Sequence, residues 1–181
     1  MSATKPSARS LTGKSAVAIR KTAAAALATK PLARKSIDGS FKKATGQWIA
    51  FSKAVAGEEP ALRIHRIRSG AKANFMVGAA NTLGVSRETI FGLVGLPTST
   101  ANRKIANDET LEIPVTERLA RLAIIEEDAK ETFGDPEVAR AWLLSENAGL
   151  GGCSPLSMLD TDVGTREVSK ALVAIAYGGV V

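Results

Sequence analysis

The residues of this chain best suited to chemistry are Ser99, Thr100, Asn102, Arg103 and Lys104, and the chemistry they suit is recognition. Arginine can bond a guanine edge through two parallel N–H groups, and asparagine can do the same for adenine. Hydroxyls and lysine suit phosphate oxygens. Sets that would break or make bonds are not found. One histidine, His65, and one cysteine, Cys153, leave almost nothing for a transition-metal site. No Gly-x-Ser-x-Gly, no phosphate-binding glycine loop and no paired carboxylates at catalytic spacing occur. Glu126-Glu127 falls on a long helical pattern and is read as facing solvent. We expect no catalytic residue, no metal and no cofactor.

Five recognition residues need a helix to present them. Ser86 is a good N-cap for a helix over Arg87–Val94, with Ile90, Leu93 and Val94 inward. Gly95-Leu96-Pro97 breaks the chain, and Thr98 or Ser99 can cap a further helix to about Ala106. A short helix, a glycine-containing turn and a second short helix make a helix-turn-helix, whose second helix enters the major groove. The same spacing also fits a plain helical corner inside a bundle, with its polar residues facing water. Upstream, Met76, Ala79 and Leu83 step by three and four before Gly84. Downstream, Pro114 opens the longest helix, with Val115, Leu119, Leu122, Ile125, Ala129 and Phe133 on one side and Gly134 as its stop. No long Val/Ile/Thr alternation interrupts these patterns. The fold class expected is all-α: a helix-turn-helix bundle, a small helical domain after it, and a basic, flexible N-terminal arm.

The C-terminal stretch carries the second candidate site. Asp135-Pro136-Glu137 sets an N-cap, a first-turn proline and an early acid in order. Val138, Ala139, Trp142 and Leu143 then share an apolar face, with Trp142 read as core. A loop with three glycines runs from Asn147 to Gly152, and Cys153 is a small loop or buried residue. Ser154-Pro155 repeats the cap, with Leu156 and Leu159 inside, before a last helix lined by Val168, Leu172 and Ile175. The chain ends on Tyr177, Gly178, Gly179, Val180 and Val181. An apolar end without a polar trailer suggests that something holds it, either its own core or another protein. A frayed helix end is the alternative.

Charge is divided unevenly. Residues 1–70 hold 14 Lys and Arg against 3 acids, a net of +11; residues 71–181 hold 10 against 15, a net of −5. Basic arms of this kind commonly meet nucleic acid, although a disordered or solubilising leader has the same composition. Within 1–70, Trp48, Ile49, Phe51 and Val55 suit a short amphipathic helix, and Leu62, Ile64 and Ile67 suit either a short strand or a basic helix. Domains are expected at 1–70 (basic arm, partly disordered), 71–134 (helix-turn-helix) and 135–181. A single cysteine permits no internal disulfide and fits a reducing compartment. No run of 18 apolar residues occurs, and the basic start lacks the apolar segment of a secretory signal, although composition leaves an organellar transit peptide open.

Residues from about 74 to 181 resemble the MbcA/ParS/Xre antitoxins of bacterial toxin–antitoxin pairs. The resemblance is carried by Leu83-Gly84-Val85-Ser86, by Thr100 and Arg103, and by Arg118-Leu119-Ala120-Arg121-Leu122. It continues through Phe133-Gly134-Asp135-Pro136, Ala139-Arg140-Ala141-Trp142-Leu143, Gly152, Ser154-Pro155-Leu156, Leu159, Asp160-Thr161, Gly164 and Tyr177-Gly178. Residues 1–70 lie outside it. One departure is Asn102-Arg103-Lys104, where family recognition helices often carry paired arginines. The resemblance implies an Xre-like helix-turn-helix that binds operator DNA and represses its own operon. It also implies a toxin-binding domain whose last residues, Tyr177 to Val181, plug the active-site entrance of a RES-domain toxin that consumes NAD. A cytoplasmic protein is implied, forming homo-oligomers and mixed complexes with the toxin. From the residues alone, a flat tyrosine and small glycines thread a narrow pocket easily, and burying the Tyr, the valines and nearby Leu contributes roughly 5–8 kcal/mol gross. A stand-alone helix-turn-helix regulator without a toxin partner is the alternative.

Overall fold

The structure, a computed structural model, describes residues 39–178. Those residues form eight α-helices and two single-turn 3-10 helices. Residues 1–38 of the expected arm and Gly179, Val180 and Val181 of the expected plug lie outside the described residues. In order the helices are α1 (Gly39–Gly57), α2 (Pro60–Ser69), α3 (Asn74–Leu83), α4 (Arg87–Leu93), α5 (Thr98–Ala106), α6 (Ile113–Phe133), α7 (Pro136–Leu144) and α8 (Asp162–Ala176). The single turns, Ala148–Leu150 and Pro155–Met158, lie between α7 and α8. The all-α expectation holds for this span, where the one extended pairing is an isolated antiparallel bridge between Lys72 and Thr110.

Helix α6 is the axis on which the rest is hung: α1, α2, α7 and α8 all pack on it, and α3 packs on α1. Its buried residues are Val115, Thr116, Leu119, Ala120, Leu122, Ala123, Ile125, Glu126 and Ala129, which is wider than a single stripe. A helix covered on several sides needs small and apolar residues over most of its circumference. Local signals set its ends. Glu112 precedes Pro114 in the first turn, and Gly134, in the left-handed region at φ +66°, donates its N–H to Lys130 O.

The reading of residues 1–70 as one basic arm is corrected for 39–69. Helix α1 buries Ala44, Trp48, Phe51, Ser52 and Val55, and Trp48 and Val55 are fully covered. Steps of three and four put these on one side, so burial of two aromatics outweighs the charge on the other. Ile49, expected on that face, stays half-exposed instead. Helix α1 meets α3 at Gly78, where a Cβ would lie 2.3 Å from Ala44 O and 2.5 Å from Trp48 Cβ. Helix α2 resolves the strand-or-helix alternative in favour of helix. Arg63 donates to Val55 O, Ala56 O and Glu58 O, capping the open carbonyls at the end of α1.

The solvent-facing reading of Glu126-Glu127 is corrected as well. Glu126 is 2% exposed and accepts a 2.8 Å bond from Trp48 Nε1, while Lys130 Nζ lies 2.7 Å from its other oxygen. Glu127 accepts from Ser52 Oγ at 2.8 Å and pairs with the same lysine. Burial holds the Glu126 carboxyl above the usual range, against the pull of Lys130. This cluster is a polar bolt between α1 and α6.

Candidate functional site

Ser86 caps α4 as expected, accepting from Thr89 N at 3.1 Å. The turn after it depends on Gly95, at φ +72°. A side chain there would be strained, and its Cβ would lie 2.4 Å from Arg118 Nη1. That guanidinium belongs in place, because it donates to Val94 O at 3.0 Å and ties the turn to α6. Helix α5 then starts at Thr98 with Pro97 as N-cap and no side-chain cap, so neither Thr98 nor Ser99 caps it. Ala101, fully buried, seats α5 on the body.

Of the five residues expected on the recognition surface, Ser99, Asn102 and Arg103 are exposed and share the outward side of α5. Thr100 is half-buried at its edge. Lys104 is a correction. Its stem is buried and its ammonium reaches Glu112 at 2.8 Å and Glu109 at 3.3 Å. Arg103 also pairs with Glu109, at 2.5 Å, and Asn107 Nδ2 donates to the same oxygen. Asn107 chiefly, then Lys104, holds the Glu109 carboxyl below the usual range, and Lys104 does the same for Glu112. The one cation pair of the expected reading helix is thus already matched by two acids. Arg87, at the start of α4, is exposed and was not singled out from sequence; nothing but its place beside Ser86 marked it.

The second candidate surface is the end of α8. Val168, Ala171 and Leu172 anchor the helix, and Thr161 caps its start by accepting from Gly164 N. Gly164 has no room for a side chain, because its Cβ would lie 2.1 Å from Met158 O. On the other side Val173 is 56% and Tyr177 is 89% exposed, one turn apart. Gly178 follows at φ +79° and turns the chain off the helix. Tyr177 and Gly178 are therefore together and accessible. Exposed Val163, at the far end of α8, and Leu144, at the end of α7, also went unnoticed in the sequence.

A cleft of about 90 Å³ between α3, α6 and α7 is lined by Leu83, Glu126, Lys130, Arg140 and Leu143. Its charges are satisfied internally, since Arg140 pairs with Glu137 and Lys130 with Glu126 and Glu127. Among the described residues, no group of three or more His, Cys, Asp or Glu is placed to hold a metal, and no helix is long and apolar enough to cross a membrane.

Residues 62–123 match the antitoxin Xre-like helix-turn-helix domain, and residues 128–178 match the antitoxin Xre/MbcA/ParS C-terminal toxin-binding domain. The chain is similar to the Prs ADP-ribosylating antitoxin of a Sphingobium species, 33% identical over 135 residues that cover 70% of this chain and 85% of the relative. This chain belongs to the Xre/MbcA/ParS antitoxin family. It is also similar to antitoxin Xre of Pseudomonas putida, 34% identical over 46% of this chain and 52% of that one. Antitoxin Xre of Yersinia enterocolitica is 27% identical over 66% of this chain and 84% of its own length. The α4–α5 pair lies inside the helix-turn-helix match, and the exposed end of α8 lies inside the toxin-binding match. The antitoxin role with a helix-turn-helix follows from membership, and the two surfaces divide between its two matched domains.

Proposed function

We propose that this antitoxin neutralises a RES-type, NAD-consuming toxin by seating Tyr177 to Val181 in the toxin's active-site entrance. It does no bond-making chemistry and acts by obstruction in the bacterial cytoplasm, within a mixed oligomer. The observation that carries this reading is the end of α8: a helix anchored firmly on one side offers Val173 and a nearly free Tyr177 on the other. An exposed aromatic beside an apolar residue is the composition of an interface anchor. The Sphingobium relative is named as an antitoxin linked to ADP-ribosylation of Prs, a transfer for which NAD is the usual donor.

The same protein represses its own operon with α5 in the major groove, reading bases through Asn102 and Arg103, with Ser99 and Thr100 on phosphates. Two variants separate the roles. Deleting Gly178 to Val181 abolishes neutralisation in a co-expressing strain while the thermal melt of the purified protein stays unchanged. Arg103→Ala weakens promoter repression and leaves neutralisation intact. Full protection by the shortened protein would overturn the plug, and loss of neutralisation by Arg103→Ala would overturn the division of labour.

A further inference from the structure

We infer that the outward side of α1 is a second nucleic-acid contact, holding duplex phosphates through Lys42, Lys43 and Lys53. It acts separately from α5. Over its 19 residues α1 contains no aspartate or glutamate. Opposite its buried side, Lys42, Gly46, Ala50 and Lys53 follow one another in steps of four, four and three, with Lys43 beside them. All five are exposed, and a Cβ at Gly46 would meet nothing within 4 Å. Gly46 and Ala50 between the lysines are small, and Ile49, 37% exposed, is the one bulky side chain beside them. Lys42 and Lys53 are separated by about 16 Å of helix rise. Duplex DNA presents on the order of ten phosphate charges over that length.

Charge complementarity selects this partner. None of the three lysines forms an ion pair among the described residues, whereas Arg103 and Lys104 on α5 are matched by Glu109 and Glu112. Residues 39–178 hold 16 Lys and Arg against 17 acids, a net of −1, so the body as a whole gives a phosphate backbone brought to α5 no net attraction. Attraction has to come from elsewhere, and residues 1–38, immediately before α1, add eight Lys and Arg against one Asp. A lipid surface fits less well, because beside glycine and alanine this side offers one large apolar side chain, Ile49 at 37% exposure, and an acyl layer is entered by a broad apolar face.

The test uses the full chain and a mixed-sequence duplex of about 30 base pairs, with fluorescence anisotropy at stepped salt. The triple variant Lys42→Gln, Lys43→Gln, Lys53→Gln is compared with the wild type. Its affinity at low salt should fall on the order of tenfold or more, and the slope of log affinity against log salt should shrink by about 2–3. Its melt and its neutralisation of toxin should not change, because all three sites are exposed and far in sequence from α8. Unchanged affinity and slope would overturn the inference. So would a wild type that binds anionic vesicles but not the duplex. Asn102→Ala with Arg103→Ala serves as the parallel arm, costing sequence preference while moving the slope by no more than about one. Failure of that pair alone counts against α5 as the reading helix, and failure of the lysine variant alone counts against α1.

Discussion

Lys104 lies in the helix that would face DNA, yet its ammonium is committed to Glu109 and Glu112. The two acids close the C-terminal end of α5 onto the start of α6. Both carboxyls have folded-state values below the ordinary 4.5, Glu109 chiefly through Asn107 and Glu112 chiefly through Lys104. A lowered folded value means that the stabilisation is complete above the ordinary range and is lost as pH falls through the folded value. The urea midpoint of the wild type should therefore hold from neutral pH to about pH 4.5 and drop as the pH is lowered further, toward about pH 3. Glu109→Gln with Glu112→Gln should start lower at neutral pH and show a flatter acid limb. The same variant leaves Arg103 and Lys104 without acidic partners, so its duplex affinity should rise. Equal midpoints across that pH range in both proteins would mean that these ion pairs contribute nothing, as exposed pairs often do.

Among the elements, the α1–α3 contact is the most exacting. Gly78 has a backbone oxygen and a tryptophan Cβ where its own Cβ would stand. Gly78→Ala forces α1 away from α3 and costs about 1–3 kcal/mol, read as a lowered melting temperature; Gly92→Ala, where a Cβ meets nothing, is the control. Most helix ends from α3 onward were legible in the sequence because they rest on local chemistry; the start of α5 was not, since Pro97 is its N-cap and no side chain caps it. Gly84 and Gly134 take left-handed conformations, and Ser86, Asp135 and Ser154 cap the turns that follow them, while the cap at Thr161 reads in the sequence only as part of a turn. Helix α1 was half-legible. Trp48, Phe51 and Val55 have helical spacing, but Gly39, Gly46, Gly57 and three lysines have the composition of a linker. Glu126 was not legible, because the group that justifies its burial, the indole N–H of Trp48, is 78 residues away in the chain. Lys104 was missed for a similar reason. Its acids lie five and eight residues on, across a turn, outside any helical repeat. Of the candidate sites, the α5 residues were found by side-chain type, and their ion pairing was visible only in three dimensions.

Across the whole molecule, α6 begins inside the helix-turn-helix match and ends inside the toxin-binding match. Glu126, which bolts α1 in place, sits between the two matches, and Arg121 faces Asp162 of α8 at 4.0 Å. One buried helix serves both cores, so the described body should unfold as one unit. Trp142→Phe leaves Trp48 as the reporter of the first half while keeping an aromatic ring against Phe133. Its urea transition by fluorescence should coincide with that by far-ultraviolet circular dichroism. Two separated transitions would show that the halves melt independently.

The shared helix also bears on inheritance. A recombination event that joined the first half of this protein to the second half of a relative would have to cut within Ile113–Phe133 or accept one whole parent's version of it. Either way, side chains selected against one set of neighbours would meet another set on the opposite flank. New binding specificities should then arise in such proteins by substitution at their two ends, while the middle of the gene descends as a block.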